Sequence, residues 1–323
     1  MSPFRRLILS SAAAGLMLAG CAATDAPTTP SAPQAQPGPP AFQAQLLEDV
    51  RVLSSDEMRG RDTGSAGGEA ARAYIVGRLE ALGIEAPMVG RLQPWEMTGR
   101  TREGPKVWNG VNVLGQIRGT RATDRYIVVT AHYDHVGEHG GQIYNGADDN
   151  ASGVATMLAL AAELKREAPE HSVLFVALDG EERGLLGAKH FVEAPPAPLT
   201  SIAMNLNFDM TARAEGDGKL WVTGTYQNPQ FRPILEALPA QGPVALAFGK
   251  DTPEDTGPDN WVEASDHAAF HQAGLPFLYL GVNYHPDYHR PSDDFERIDP
   301  LVFTSSTQLA IDTFRALDRA LDR

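Results

Sequence analysis

The chain has 323 residues, 42% of them hydrophobic and 21% charged, enough to bury a sizeable core without covalent staples. A formal net charge of −14, with no basic cluster, argues against nucleic acid as a partner. Cys21 is the only cysteine, which argues against a disulfide framework, thiol redox chemistry and a thiolate metal site.

Residues 1–20 read as a bacterial lipoprotein signal. Arg5 and Arg6 precede an apolar stretch, 7–18, too short for a typical membrane span, and Leu18-Ala19-Gly20 leads into Cys21. On this reading Cys21 is lipidated, becomes the new N-terminus and anchors an exported protein in the cell envelope. Ala22 and Ala23 carry no acidic retention signal, which points to the outer membrane, facing the periplasm. Residues 21–40, rich in Ala, Pro, Thr, Ser and Gln, form a tether that cannot bury enough surface to fold. Residues 41–323 are expected to form a single domain.

Apolar spacing predicts a helix over 42–54, a glycine-rich loop over 54–68 and a second helix over 69–82, stopped at Gly83. Strands are predicted at 92–98, 107–118 and 126–131, and a helix begins near Asn150. The run 172–178 is apolar throughout, as in a buried parallel strand. A helix at 185–192 and strands at 201–208 and 220–223 follow, then a helix at 229–238 and a strand at 244–248. A polar loop spans 250–262, and a helix at 265–272, a strand at 276–280 and a closing helix at 301–321 complete the chain. This alternation predicts an α/β three-layer sandwich: a central mixed, largely parallel sheet with helices on both faces.

Ionisable residues recur where the predicted strands end: His132 and Asp134, Glu181 and Glu182, Asp209; the pair Asp148–Asp149 opens a helix and His289 comes late. Ligands in such sheets collect at the carboxyl ends of strands. Residues two apart on a strand share a side, so Asp134 is placed to accept a proton from His132 and fix its tautomer. One of Asp148 and Asp149 suits a metal while the other holds the turn. In Glu181–Glu182 successive side chains diverge, so one can bind metal while its neighbour serves as general base. Two divalent cations, three carboxylate ligands and a hydroxide between the metals balance in charge, and a His/carboxylate set favours two Zn2+, with Mn2+ or Co2+ as substitutes.

The series Ala-His-x-Asp, Gly-Ala-Asp-Asp-Asn-x-Ser-Gly, Glu-Glu-x-Gly-Leu-x-Gly, Asn-x-Asp-Met, Ser-Asp-His and His-x-x-x-Asp, running from His132 to Asp293, resembles the bacterial-leucyl-aminopeptidase type of two-zinc metallopeptidase, family twenty-eight. The resemblance implies a zinc-dependent exopeptidase, foremost an aminopeptidase, attacking peptides through a metal-bridging hydroxide. It implies Asp148 as the bridge, His132 and Asp209 completing one ion's ligands, and Glu182 and His289 the other's. Glu181 would be the base and Asp134 the residue orienting His132, with a cis peptide bond before Asp149. His289 is preferred over His285, and His135 and His139 are read as loop or rim residues. The pattern departs where the family places a tyrosine before Ser-Asp-His; here the candidates for stabilising the oxyanion are Asn260, Tyr284, Tyr288 or a metal alone. Rival readings are a carboxypeptidase or dipeptidase on the same two metals, a one-zinc glutaminyl cyclase, and a non-catalytic envelope lipoprotein.

Overall fold

The computed structural model describes residues 42–101 and 104–321; the signal, Cys21 and the tether lie outside them. Two helices come first, α1 (Gln43–Leu53) and α2 (Ala66–Ala81), then a long hairpin of β1 (Leu92–Thr101) and β2 (Gly104–Ile117). The strand β3 (Ala122–His132) leads to a small hairpin, β4 (Gly137–His139) and β5 (Gln142–Tyr144), and then to α3 (Gly153–Arg166). Next come β6 (His171–Leu178), α4 (Leu186–Glu193), β7 (Ile202–Phe208), β8 (Lys219–Thr223), the one-turn α5 (Arg232–Leu235) and β9 (Ala245–Phe248). The chain closes with α6 (His267–Gln272), β10 (Phe277–Gly281) and α7 (Pro300–Ala320).

Eight strands form one sheet in the order β1-β2-β6-β3-β7-β10-β8-β9. Its centre, β6, β3, β7 and β10, is parallel; β2 meets β6 and β8 meets β10 antiparallel. Every residue of β6 is buried, and its side chains alternate between two cores as the strand period requires. Val173, Phe175 and Ala177 pack under α1, α2, α3 and α7, while Leu174, Val176 and Leu178 face Phe191 of α4 and Phe270 of α6. The result is the expected mixed sheet between two helical layers. Among the described residues no helix is long and apolar enough to cross a membrane.

Two helices differ from the predicted ones for a packing or backbone reason, and the hairpin of β4 and β5 was not predicted. The α2 helix starts three residues earlier, capped by Ser65, whose hydroxyl accepts from the Gly68 N–H at 3.1 Å. Gly67 and Gly68, which read as loop, are there because a Cβ on them would lie 1.9 Å from the Met58 carbonyl and 2.7 Å from that of Asp62. The helix predicted over 229–238 shrinks to the single turn of α5, which contains Pro233.

The parallel strands end side by side. His132 is in register with Leu178, Thr130 with Asn207 and Leu280 with Phe208. The residues just beyond them therefore emerge at one edge of the sheet, where the candidate site is built.

Candidate metal centre

The segment from Gly146 to Ser152 decides which carboxylate faces the site. Gly146 sits at φ +55°, and a Cβ there would lie 2.1 Å from the Asp149 carbonyl and 2.6 Å from the His135 ring. Asp148 then turns away into the protein. Its Oδ1 accepts from the Ala212 N–H at 2.8 Å and the Ser152 hydroxyl at 3.0 Å, and its Oδ2 lies 3.1 Å from His285 Nε2. Asp149 turns inward, with Oδ1 3.4 Å from His132 Nε2 and Oδ2 3.0 Å from His289 Nε2. Asp149, and not Asp148 where the bridge is expected, is thus the carboxylate that faces both sides of the site, because that of Asp148 is consumed by the loop. The cis peptide bond likewise joins Asp149 to Asn150 and does not precede Asp149.

Two donor groups share Asp149. One comprises His132, Asp149 and Asp209; the other comprises His135, Asp149, Glu182 and His289. His132 Nε2 lies 3.3 Å from Asp209 Oδ1; Glu182 Oε1 lies 2.8 Å from His135 Nδ1 and 3.2 Å from His289 Nε2. Bonds of roughly 2.0–2.1 Å to a tetrahedral zinc would set donor atoms about 3.3 Å apart, so these spacings fit. The buried atoms His135 Nδ1, Asp149 Oδ2, Glu182 Oε1 and Asp209 Oδ1 have no hydrogen-bond partner among the described residues. Unpartnered buried polar atoms are costly, and their convergence is what cation binding requires. The carboxylates already draw positive charge: burial works against the His289 imidazolium, yet Asp149 and Glu182 raise its pKa to about 10. The paired clusters are consistent with a two-zinc centre.

His135, read as a rim residue, is fully buried and belongs to the second group. His285 contacts Asp148 and stands outside both groups; His139 is exposed, its Nε2 2.7 Å from the Val136 carbonyl.

Asp134 has a different task from the one expected. Nδ1 of His132 lies 3.1 Å from the main-chain carbonyl of Asp134 but 3.7 Å from its carboxylate. That carboxylate instead accepts from the main-chain N–H groups of Glu181 at 3.1 Å and Glu182 at 3.2 Å, and from the Thr63 hydroxyl at 3.2 Å. It fixes the turn that carries the Glu pair, while its backbone orients His132. Asp293 does the same for the other turn, accepting the Asp148 and Asp149 N–H groups at 3.1 Å.

A residue with no motif around it braces both turns. Arg61 is wholly buried, and its guanidinium donates to the carbonyls of Tyr133 at 2.9 Å, Asn145 at 2.6 Å, Gly146 at 2.9 Å and Leu53 at 2.5 Å. Burial lowers its pKa to about 10, opposed by the acids of the centre, beginning with Asp149 and Asp293.

Glu181 is half-buried on the wall of a small cavity that also exposes His132, Asp149, Asp209 and His289. Burial raises its carboxyl pKa well above the usual range; His132 opposes this, and Glu182 and Asp266 add to it. Trp261, Tyr279, Tyr284 and Tyr288 form the aromatic part of the wall. Asn260 is turned elsewhere: its amide donates to the Asp255 carbonyl and accepts from the Val262 N–H. Ser265, Asp266 and His267 form no triad, since Ser265 accepts from Asn207 and His267 Nε2 lies 2.8 Å from the Trp261 carbonyl.

The family model described as Peptidase family M28 matches residues 112–314. Among curated relatives, Aminopeptidase YwaD of Bacillus subtilis is 30% identical over 183 residues, covering 53% of this chain and 36% of the relative. Leupeptin-inactivating enzyme 1 of Streptomyces exfoliatus is 28% identical over 293 residues, covering 88% of this chain and 60% of the relative. The chain thus spans between about a third and three fifths of the length of these two proteins. Among solved structures, the zinc aminopeptidase BSAP of Bacillus subtilis superposes with a TM-score of 0.66 at 18% identity, covering 87% of this chain and 96% of that one. Porphyromonas gingivalis glutaminyl cyclase gives 0.65 at 17% identity, covering 84% and 97%. Both likenesses concern the fold, and they are equally good.

Proposed function

The chain belongs to peptidase family M28, and from that premise and its paired donor groups we propose a two-metal exopeptidase, an aminopeptidase that removes N-terminal residues from peptides. The observation carrying this is Asp149, which offers one oxygen to each donor group beside the Glu181 carboxylate. His132, Asp149 and Asp209 would hold one ion; His135, Asp149, Glu182 and His289 the other. Bound there, the divalent cations would supply electrophilic pull on the scissile carbonyl and acidity to the attacking water, at whichever ion keeps an open position.

The chain's own groups do the rest. Glu181, with its raised pKa, takes the water proton and delivers it to the leaving amine. Asp134 keeps that carboxylate in place through the Glu181 N–H. Tyr284 or Tyr288 donates its hydroxyl to the developing oxyanion; neither hydroxyl has a hydrogen bond among the described residues. No Lys or Arg lines the cavity among the described residues, so nothing there forks onto a C-terminal carboxylate, whereas an acidic lining without a cationic side chain from Lys or Arg admits an N-terminal ammonium. This favours the aminopeptidase over the carboxypeptidase reading.

The test uses zinc-loaded protein and matched pairs of aminoacyl-nitroanilides, free and N-acetylated. Hydrolysis confined to the free-amine member is expected. Equal cleavage of the acetylated member, or release of C-terminal residues, would remove the aminopeptidase assignment; cyclisation of N-terminal glutamine without peptide-bond cleavage would replace it with the cyclase. For location, Cys21→Ser should move the protein from the membrane fraction to the soluble one. Persistence in the membrane would refute lipid anchoring at Cys21.

A further inference from the structure

Four histidines are fully or almost fully buried: His132, His135, His171 and His267. Three of them have a ring nitrogen in a hydrogen bond, His132 with the Asp134 carbonyl, His171 with Asp318 and His267 with the Trp261 carbonyl. His135 has none at either nitrogen among the described residues. Its Nδ1 nevertheless lies 2.8 Å from Glu182 Oε1 and 3.7 Å from Asp149 Oδ2, without hydrogen-bond geometry to either. Short donor distances without a hydrogen bond are what ligands of one cation show when they aim at a common point. A core imidazole with no other role would leave Nδ1 buried and unsatisfied among converging carboxylates, which native interiors avoid; ligation satisfies Nδ1, the nitrogen that faces Glu182 and Asp149.

We infer that His135 is a metal ligand and that it makes the two ions unequal: the ion held by His135, Asp149, Glu182 and His289 has a closed four-donor shell, and the ion held by His132, Asp149 and Asp209 has three protein donors and an open position. This rests on the two-metal reading above. Four protein donors complete a tetrahedron, as in structural zinc sites, while three leave the fourth position that catalytic sites keep for water or substrate. The contacts around the first group run from 2.8 to 3.7 Å, spanning the tetrahedral edge. The division assigns holding to one ion and exchange to the other. It also sets the order of filling, with the four-donor group taken first.

The experiment titrates the chelator-stripped full chain with Zn2+ against a competing chelator, with Co2+ absorbance as a second readout of coordination. The parent should bind two ions in steps, the first at least ~10-fold tighter. His135→Ala should weaken that tight step by about 100-fold or more, the upper end of what even indirect ligand contacts control, and leave the weaker step within a few-fold. Asp209→Ala should do the reverse. Unfolding midpoints in chelator should match the parent for both variants, and His135→Gln provides a more conservative replacement should the alanine variant fail to fold. If His135 variants keep both affinities, or Asp209→Ala abolishes the tight step, the inference is overturned. If the parent itself binds no zinc, the two-metal reading fails first, a distinct result.

Discussion

The two neighbours Asp148 and Asp149 carry opposite duties, and substitution should separate them. Asp149→Ala should abolish tight binding of both ions, since each group loses a donor. Asp148→Ala should leave two ions bound while costing roughly 1–3 kcal/mol of stability, because the buried Ala212 N–H loses its acceptor while the Ser152 hydroxyl keeps only the main-chain carbonyl of residue 148. Metal titration and denaturant unfolding read the two effects independently. Glu181→Gln should keep both ions and lower kcat by about 10²–10⁴-fold, the usual weight of a general base; turnover near that of the parent would remove Glu181 from that role. The sequence located the site's residue types but not which member of an adjacent pair faces inward. That depends on Gly146 at positive φ and on the Asp149 and Asn150 dihedrals, which no spacing rule encodes. The inward position of His135 is not legible in the sequence, because a histidine three positions beyond His132 lies past the regular strand, where period-two reasoning stops. Arg61 left no signal at all: its partners are main-chain carbonyls, to which any sequence contributes equally.

Secondary structure was legible where burial is one-sided or complete. The apolar run of β6 and the amphipathic α7 lie within a residue or two of their predicted limits. The start of α2 was hidden by Gly67 and Gly68, which favour loops by propensity but are required by close packing. The consequence is a paired test within one helix. Gly77→Ala, at an exposed position with nothing within 4 Å of the new Cβ, should stabilise by about 0.5–1 kcal/mol. Gly67→Ala should destabilise by roughly 1–3 kcal/mol despite the better helix former, because its Cβ meets the Met58 carbonyl. Equal effects in chemical denaturation would contradict the packing account. The small hairpin of β4 and β5 had no apolar alternation to betray it: Glu138, His139 and Gln142 are exposed.

At the scale of the molecule, the sheet concentrates ionisable groups where its parallel strands end, and the fold carries titratable groups into the core beside them. Burial pushes His267 down to about 4, so the folded protein refuses a proton that the unfolded chain takes up below its ordinary value near 6.5. Its contribution is complete above about 6.5 and is lost as pH falls towards 4, a change on the order of 3 kcal/mol. Asp266, raised by burial to about 7, acts in the opposite sense, stabilising the fold below its ordinary value and losing this as pH rises towards 7. The difference in unfolding free energy between parent and His267→Gln, measured in chelator, should therefore narrow as pH falls from 7 to 4.5. A constant difference would show that His267 does not titrate with this depression. The class of fold and its layers followed from the alternation of elements, but the strand order did not, because neighbours such as β2 and β6 are far apart in the chain.

The central claim is that two ions share Asp149. Anomalous diffraction from crystals of the zinc-loaded protein tests it most directly. Two peaks roughly 3.5–4 Å apart are predicted, one beside His132 and Asp209, the other beside His135, Glu182 and His289, with Asp149 between them. A single peak, or a pair bridged by Asp148 with Asp149 turned away, would contradict the account.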